Sequence, residues 1–139
     1  MKTPISVLVV SVLGFVGPSL SAQAIHHKCK AEIRGESVAC ITTPRDGATI
    51  KGPAVRVVLA AVGMGAAHYH LFLDTNVPPA GQAIPEGPGI THLASGEKAH
   101  QFAEMAPGLH RLIVVLGDNG HVAVARQKSD TAYFTVVSR

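Results

Sequence analysis

Residues 109–120, LHRLIVVLGDNG, are the clearest structural signal in this chain of 139 residues. Their first part is aliphatic and β-branched except for His110 and Arg111, which favours a β-strand over residues 109–116. Residues 117–120 then supply the Gly, Asp and Asn side chains that are typical of a hairpin turn. Because no segment keeps a 3.6-residue apolar period, we expect strands rather than helices.

Further strand-like segments lie on both sides of this run, with turns about every 8–12 residues. Pro and Gly crowd into residues 75–91, which we expect to be a long loop with room for one short edge strand. About seven strands in roughly 100 residues favour an immunoglobulin-like β-sandwich, with a jelly roll or a small barrel as the alternative. The sequence therefore predicts an all-β fold, with strands at Ile50 and at residues 54–62, 68–74, 97–105, 109–116, 121–126 and 131–137.

Residues 1–24 have the pattern of a cleaved secretory signal peptide. Lys2 gives a positive start, residues 5–16 form an apolar run, and Ala22 and Ala24 supply the small side chains that a signal peptidase requires. The run is shorter than the roughly 20 residues that cross a bilayer, so a membrane anchor is the weaker interpretation. We expect a periplasmic or secreted mature chain, residues 25–139, that forms a single domain without a membrane span.

Two cysteines, Cys29 and Cys40, occur near the start of that mature chain. In an exported protein they are predicted to form a disulfide that ties the N-terminal segment, residues 25–42, with a hairpin turn near Gly35. A thiolate metal site is the alternative, but a separation of 11 residues is not a usual zinc spacing.

Histidine is unusually frequent, with 8 His against 9 Asp and Glu together. His68 and His70 alternate with Tyr69, so on a strand both point to one face, with Cα atoms about 6.6–6.8 Å apart. Two imidazoles at that spacing can converge on one ion, and imidazole is a ligand that suits copper and zinc.

A neighbouring turn supplies further candidate ligands. In an immunoglobulin-like sandwich the His68 strand and the strand over residues 109–116 are expected to be antiparallel neighbours. Asp118 and His121 directly follow the second strand and would therefore lie near the start of the first. We predict a copper or zinc site formed by His68, His70, His121 and Asp118. Asp118 would be a ligand or the hydrogen-bond partner that orients an imidazole. The alternative is that these residues are polar caps on strand ends.

Other histidines have different expected roles. His110 is predicted at the opposite end of the sandwich, in a structural role with Asp74 as its hydrogen-bond partner. His92 and His100 are isolated in the sequence, and no role is predicted for either.

Cleavage after residue 24 would create a second possible metal site, because the mature chain would begin with Ile25, His26 and His27. A free amine, two deprotonated amides and the imidazole of His27 can surround Cu(II) or Ni(II) in a square plane. The alternative is a frayed, solvated terminus that binds nothing.

Composition narrows the function classes. The net charge is only +3, and no cluster of Lys and Arg with interleaved aromatic residues occurs, so nucleic acid is not an expected partner. The chain has no Gly-x-Ser-x-Gly motif and no phosphate-binding loop, so binding is more expected than catalysis. No protein partner can be inferred.

One enzyme family shares a short similarity. Residues 68–74, HYHLFLD, are superficially similar to the first copper-ligand strand of the copper–zinc superoxide dismutases, whose fold is also a sandwich. The zinc-loop histidines and the final ligand strand of those enzymes have no counterpart here. A superoxide-active enzyme is therefore a weak alternative.

A broader resemblance runs from Gly65 to the end of the chain. It is carried by HYHLxLD at 68–74, Ile84-Pro85, His92 followed by Gly96-Glu97, and PGLHxLxxxLGDxxH at 107–121. This set resembles the exported bacterial family called domain of unknown function 4399. The resemblance implies a periplasmic single domain and brings no established activity.

The functional hypothesis therefore depends on the histidines. They predict a periplasmic protein that binds copper or zinc through clustered His and Asp. A non-catalytic envelope module that recognises protein or glycan is the alternative.

Overall fold

The fold is known from a computed structural model, which describes Cys29 and residues 37–62, 68–125 and 127–139. The predicted signal peptide at residues 1–24, the possible metal site at residues 25–27 and the expected turn at Gly35 lie outside these residues. Nine strands and no helix occur in the described ranges, which confirms the all-β prediction. The strands are β1 (Ser37–Thr43), β2 (Ala48–Lys51), β3 (Val55–Val62), β4 (His68–Leu73), β5 (Ile90–Leu93), β6 (Ala99–Phe102), β7 (Gly108–Gly117), β8 (Gln127–Lys128) and β9 (Asp130–Val137).

Two sheets pack face to face as the predicted β-sandwich. The first sheet has the order β6-β3-β1-β8 and the second has the order β2-β9-β7-β4-β5. Neighbouring strands are antiparallel except for the β1/β8 and β2/β9 pairs, which are parallel. The expected antiparallel pairing of β4 with β7 is present, with His68 opposite Gly117 and Leu73 opposite Leu112.

The core between the sheets follows from the two-residue period of the strands. On β7, Leu112, Val114 and Leu116 point inward and are 0–1% exposed, and on β3 Val55 and Val57 are fully buried opposite them. Full burial of each such side chain contributes about 1.5–3 kcal/mol to folding. This inner layer is the main source of stability and leaves the other face of the second sheet available for a site.

A second, smaller apolar layer covers the outer face of the second sheet. It consists of Phe72, Ile84, Val115 and Ala123, which come from β4, β7 and the two loops that follow these strands. Because strand side chains alternate, residues of β4 that do not enter the core face this layer. The outer face of β4 is therefore buried under loops rather than open to solvent.

Residues 37–43, which include the described end of the N-terminal segment, take part in the sandwich as strand β1. Strand β1 pairs with β3 and β8, and Val38 and Ala39 are 1% and 0% exposed. The predicted disulfide is confirmed: Cys29 and Cys40 are bonded, with their Cα atoms 5.7 Å apart. No element of the described ranges is a helix that could cross a membrane.

The expectation for residues 121–126 needs correction. Residues 121–126 do not form a ladder strand among the described residues; they make single bridges, Val122 with Ala83 and Ala123 with Gly117. The chain crosses the outer sheet face there because the turn after β7 redirects it. The loop expected over residues 75–91 is present, and the short edge strand for which it had room is β5, which begins at Ile90 and pairs antiparallel with β4 at the sheet edge.

Candidate metal centre

Strand β4 supplies two histidines to the outer face of the sheet. Tyr69 and Leu71 fill the core, so the alternation of the strand turns His68 and His70 outward. The loops over this face bury both imidazoles, leaving His68 8% and His70 3% exposed. The predicted same-face arrangement of this pair therefore occurs beneath a cover of loops, near the end of the sandwich where β4 begins.

Strand β5 brings a third histidine beside them. In the antiparallel register His92 stands directly opposite His70, where side chains on one face lie about 4.5–5.5 Å apart at Cβ. Its neighbour Leu93 enters the core and is 1% exposed, which turns His92 to the outer face. The imidazole of His92 itself remains exposed.

The turn after β7 supplies the fourth histidine. Asp118 Oδ1 accepts hydrogen bonds from the backbone N–H groups of Gly120 at 2.8 Å and Val122 at 2.9 Å, which closes the turn. His121 has a left-handed φ of 56°, a conformation in which His is enriched several-fold among non-glycine residues. Its carbonyl accepts from Ile84 N at 2.7 Å, which links the turn to the loop after β4.

These four imidazoles form one compact group, which we call the histidine cluster: His68, His70, His92 and His121. One ring nitrogen from each lies within 4.8 Å of the corresponding nitrogen of every other, and ring centroids are separated by 4.5 Å to 5.5 Å. Metal–nitrogen bonds of about 2.0–2.1 Å place tetrahedral ligands about 3.3 Å apart. An inward shift of less than about 1 Å per ring would therefore complete such a shell.

Two nitrogens of the cluster are buried without a hydrogen-bond partner: His68 Nε2 and His70 Nδ1. Leaving a buried polar atom unpaired costs about 1–3 kcal/mol, so such atoms call for an explanation. Both face the space above Gly117, where an added Cβ would lie 3.0 Å from each nitrogen and 2.8 Å from His70 Cε1. Glycine at this position keeps that space free for something other than a side chain.

The electrostatics favour the neutral form of the two buried imidazoles. Burial, together with the neighbouring His68, His92 and His121, lowers the pKa of His70 to about 4. Burial also lowers the pKa of His68, with His92 and His121 adding to the effect and Asp118 opposing it. Neutral imidazole is the form that binds metal, so these two ligands need lose no proton near pH 7.

A scan against family models matches residues 51–137 to the family described as Domain of unknown function (DUF4399). The chain belongs to this family. The matched range contains all four members of the histidine cluster and the Gly117 position between them. It excludes Cys29 and Cys40, so the disulfide lies outside the part that the DUF4399 model describes.

Comparison with solved structures supports the fold of this DUF4399 protein. The fibronectin(III)-like modules of CbhA from Clostridium thermocellum match with a TM-score of 0.53 at 12% identity, over 77% of this chain. The chain spans 50% of the length of that CbhA chain. An engineered protein matches with a TM-score of 0.48 at 11% identity, over 73% of this chain and 20% of its own. A search of curated proteins finds no match.

The structure unites three of the four ligands predicted from sequence and replaces the other. Asp118 is not in the cluster, because its carboxylate holds the backbone of the turn, although it lies near enough to oppose part of the lowering of the His68 pKa. His92 takes the fourth place. The sequence feature that points to His92 is its position next to the apolar Leu93. In a short edge strand beside β4, Leu93 enters the core and His92 therefore faces outward. His100 lies on β6 of the other sheet, where the centroid of its ring is 4.7 Å from the ring centroid of Phe102.

His110 and Asp74 meet at the opposite end of β4 and β7. His110 Nδ1 lies 2.7 Å from Asp74 Oδ2, and His110 Nε2 donates to the carbonyl of Ala106 at 2.8 Å. Burial alone would lower the pKa of His110, but the bonds to Asp74 and Ala106 outweigh it and raise that pKa. Asp74 Oδ1 also accepts from the backbone N–H of Arg111 at 2.8 Å. This pair ties the strand ends together at a distance from the histidine cluster.

Proposed function

We propose that this DUF4399 protein binds one transition-metal ion, copper or zinc, through His68, His70, His92 and His121 in the bacterial periplasm. The observation that carries the proposal is the convergence of four imidazole nitrogens within 4.8 Å of one another. Two of the four imidazoles are buried and have unpaired nitrogens, which a metal ion would satisfy. Cross-strand pairing and a closed turn hold the cluster, so it is largely preorganised.

The donor set argues for a particular class of metal. Four imidazoles without a carboxylate are a poor match for Mg²⁺ or Ca²⁺, which prefer oxygen ligands. The described residues offer no thiolate, since both cysteines are in the disulfide. Imidazole suits borderline ions such as Cu(II) and Zn(II), and copper is the tighter binder of the two at a given nitrogen site. We therefore expect Cu(II) to bind more tightly than Zn(II).

The two buried imidazoles bind protons poorly, because burial lowers the pKa of both His68 and His70, and this strengthens the case for a metal. Protonating several imidazoles at these distances would place like charges together in a partly buried site. A single divalent ion shared by four neutral nitrogens avoids that repulsion and satisfies the orphaned atoms.

The compartment is proposed from two features. The disulfide between Cys29 and Cys40 fits an oxidising environment, and residues 1–24 have the composition of a signal peptide. A periplasmic location would expose the site to copper and zinc that enter the cell envelope.

Metal content and affinity test the proposal directly. The full chain is expressed with export, purified, stripped with a chelator, and titrated with Cu(II) and Zn(II) against a competing chromophoric chelator. We expect one metal ion per chain. The double variant His92→Ala/His121→Asn removes two exposed ligands, and Asn tolerates the left-handed φ at position 121. It should lose at least about 100-fold in affinity, roughly tenfold or 1.4 kcal/mol per ligand.

The matched control is His100→Ala, which removes an imidazole from the other sheet. It should bind metal as the wild type does. Two results would refute the proposal. One is wild-type metal binding no tighter than about micromolar (about −8 kcal/mol), and the other is equal metal affinity in the double variant and the wild type.

The fold favours a second candidate function. The likeness to fibronectin(III)-like modules at a TM-score of 0.53 is compatible with a non-catalytic envelope module that recognises protein or glycan. Its binding would be indifferent to chelators. Partner capture from envelope extracts, with and without a chelator, separates the two: capture that persists unchanged in the chelator and in the double variant favours the recognition module.

A further inference from the structure

A small cavity adjoins the histidine cluster on its solvent side. Its volume is about 270 Å³, and its lining includes three of the four imidazoles: His70, His92 and His121. His68 is not part of the lining. A metal held by the cluster would therefore adjoin this cavity through the other three imidazoles.

The cavity is built to hold something small. Ligand pockets of drug-like size occupy about 300–1,000 Å³, whereas this space corresponds to roughly nine waters at about 30 Å³ each. Ile84 and Ile90 provide an apolar wall, and the exposed residue Glu86 is also part of the lining. Apolar walls with one polar group near a metal are suited to a compact ligand with a single donor atom.

The exposure of the ligands leaves a path for that donor. His92 and His121 are exposed, whereas His68 and His70 are buried. With four imidazole ligands, an open coordination position would be a fifth one. The side of the cluster on which His92 and His121 are exposed is where exchangeable solvent can fill it.

We propose that the metal held by the histidine cluster keeps one coordination position open to this cavity, and that a small neutral ligand with a nitrogen or oxygen donor binds there. The inference rests on the proposed metal function. In the exchange, the bond from metal to water breaks, the bond from metal to the incoming donor forms, and the water leaves through the cavity, with no change in oxidation state. Ile84 and Ile90 contact the body of the ligand.

Glu86 sets the preference for a neutral ligand. Glu86 is one of the residues that line the cavity, so an incoming anion passes a residue of like charge on its way to the metal. A neutral donor meets no such repulsion. Glu86→Gln removes the charge while keeping the shape, and it should therefore raise the affinity for an anion without changing the affinity for a neutral ligand.

The test uses the full exported protein loaded with Cu(II), with imidazole as the neutral probe and azide as the anionic probe. Copper content is measured before and after each titration, and binding is followed by visible absorption and electron paramagnetic resonance. We expect imidazole to bind saturably with copper retained. Glu86→Gln should tighten azide binding roughly twofold to fivefold, the size expected for an exposed charge pair. The affinity of Glu86→Gln for imidazole should stay within about twofold of the wild-type affinity.

Two further variants sharpen the result. Glu104→Gln changes the same charge at an exposed residue outside the cavity lining and should affect neither probe. Ile90→Phe enlarges a side chain in the cavity lining. It should weaken the binding of imidazole, while the protein still binds one copper ion per chain.

The outcomes separate the two proposals. Failure of the wild type to load copper overturns the metal function and this inference with it. Stoichiometric copper whose spectra do not respond to either probe leaves the metal function standing and overturns the open position. If imidazole removes the copper without forming a complex of protein, copper and imidazole, the open position is also overturned. If Glu86→Gln and Glu104→Gln bind azide equally well, the role of Glu86 is overturned.

Discussion

Replacing Gly117 by Ala adds one methyl group at the point where the two buried imidazoles meet. The position is the last of β7 and lies opposite His68 in the sheet register. Its φ is outside the left-handed range that favours glycine, so alanine fits the backbone and the effect is confined to space. The substitution therefore tests whether the gap above Gly117 belongs to the metal site.

The size of the effect follows from the contacts of the added methyl. It would lie 2.8 Å from His70 Cε1, whereas carbon atoms in contact are about 3.5–4.0 Å apart, so the ring must withdraw by at least about 0.7 Å. Binding constellations tolerate errors of about 0.5 Å. We expect metal affinity to fall at least tenfold, or about 1.4 kcal/mol.

Stability should also fall, by a similar amount. Forcing an extra methyl group against the packed imidazoles costs about 1–3 kcal/mol, and the reduced freedom of the unfolded chain returns about 0.4–1 kcal/mol on replacing Gly by Ala. The net loss for the metal-free protein is therefore roughly 1–2 kcal/mol. Urea unfolding of the metal-free protein measures this loss, and competition titration with Cu(II) measures the loss of affinity.

Gly120→Ala is the matched control. Gly120 lies in the adjoining turn, also lacks a left-handed φ, and an added Cβ would have only Asp118 Oδ1 as a close neighbour, at 3.4 Å. It should bind metal nearly as the wild type does. If Gly117→Ala and Gly120→Ala show the same copper affinity, the space above Gly117 has no part in metal binding and the reasoning fails.

Three further predictions concern pH, the strand-end pair and the disulfide. The lowered pKa values of His68 and His70, about 4 for His70, mean that the unfolded chain binds more protons than the native one below pH 6.5. In urea unfolding of the metal-free protein, the free energy of unfolding should therefore have its full value above pH 6.5 and fall towards pH 4, by up to roughly 3 kcal/mol for His70. A free energy of unfolding that does not change over this range would contradict the prediction. Asp74→Asn keeps a residue that tolerates the φ of 55° and should lower the raised pKa of His110, as followed by NMR titration, with metal affinity unchanged. In the wild type the stabilisation from His110 is present below pH 6.5 and is lost as pH rises through its folded pKa, and an unshifted His110 in the variant would count against the pairing. Replacing Cys29 and Cys40 by Ser should lower the free energy of unfolding by roughly 2.5–3 kcal/mol for a separation of 11 residues, and a change in copper affinity would be unexpected because neither thiol is in the cluster.

The parts of the fold that sequence reasoning predicts well are those that depend on local periodicity. Strands β3, β4, β7 and β9 begin and end within one residue of the expected segments. The alternation of His68, Tyr69 and His70 was enough to put both imidazoles on one face, because the two-residue period of a strand allows no other arrangement. The antiparallel pairing of β4 and β7 then brought the turn with His121 to the same place.

His92 shows where that reasoning ends. It is separated from His70 by a loop rich in Pro and Gly, and nothing in that loop specifies which strand its last residues will join. The pairing of β5 with β4 is decided by long-range contacts, including burial of Leu93 in the core. Only that register makes His92 the cross-strand neighbour of His70.

Asp118 illustrates a competition between two uses of one side chain. As a carboxylate beside three histidines it was a reasonable ligand, but Asp readily accepts hydrogen bonds from backbone N–H groups two or more residues ahead. In the structure the backbone N–H groups of Gly120 and Val122 donate to Asp118 Oδ1, so this carboxylate closes the turn. The same turn sends residues 121–126 across the sheet face instead of into a paired strand.

Local sequence is enough to predict the all-β class, the disulfide pairing and the shared face of His68 and His70, because these depend only on the two-residue period, residue chemistry and the number of cysteines. Long-range packing brings His92 into the cluster, buries two imidazoles without partners, and leaves the space between them at Gly117. These features depend on strand register and on the loops that cover the outer face. Both are set by contacts between residues far apart in the chain, and no local pattern records them.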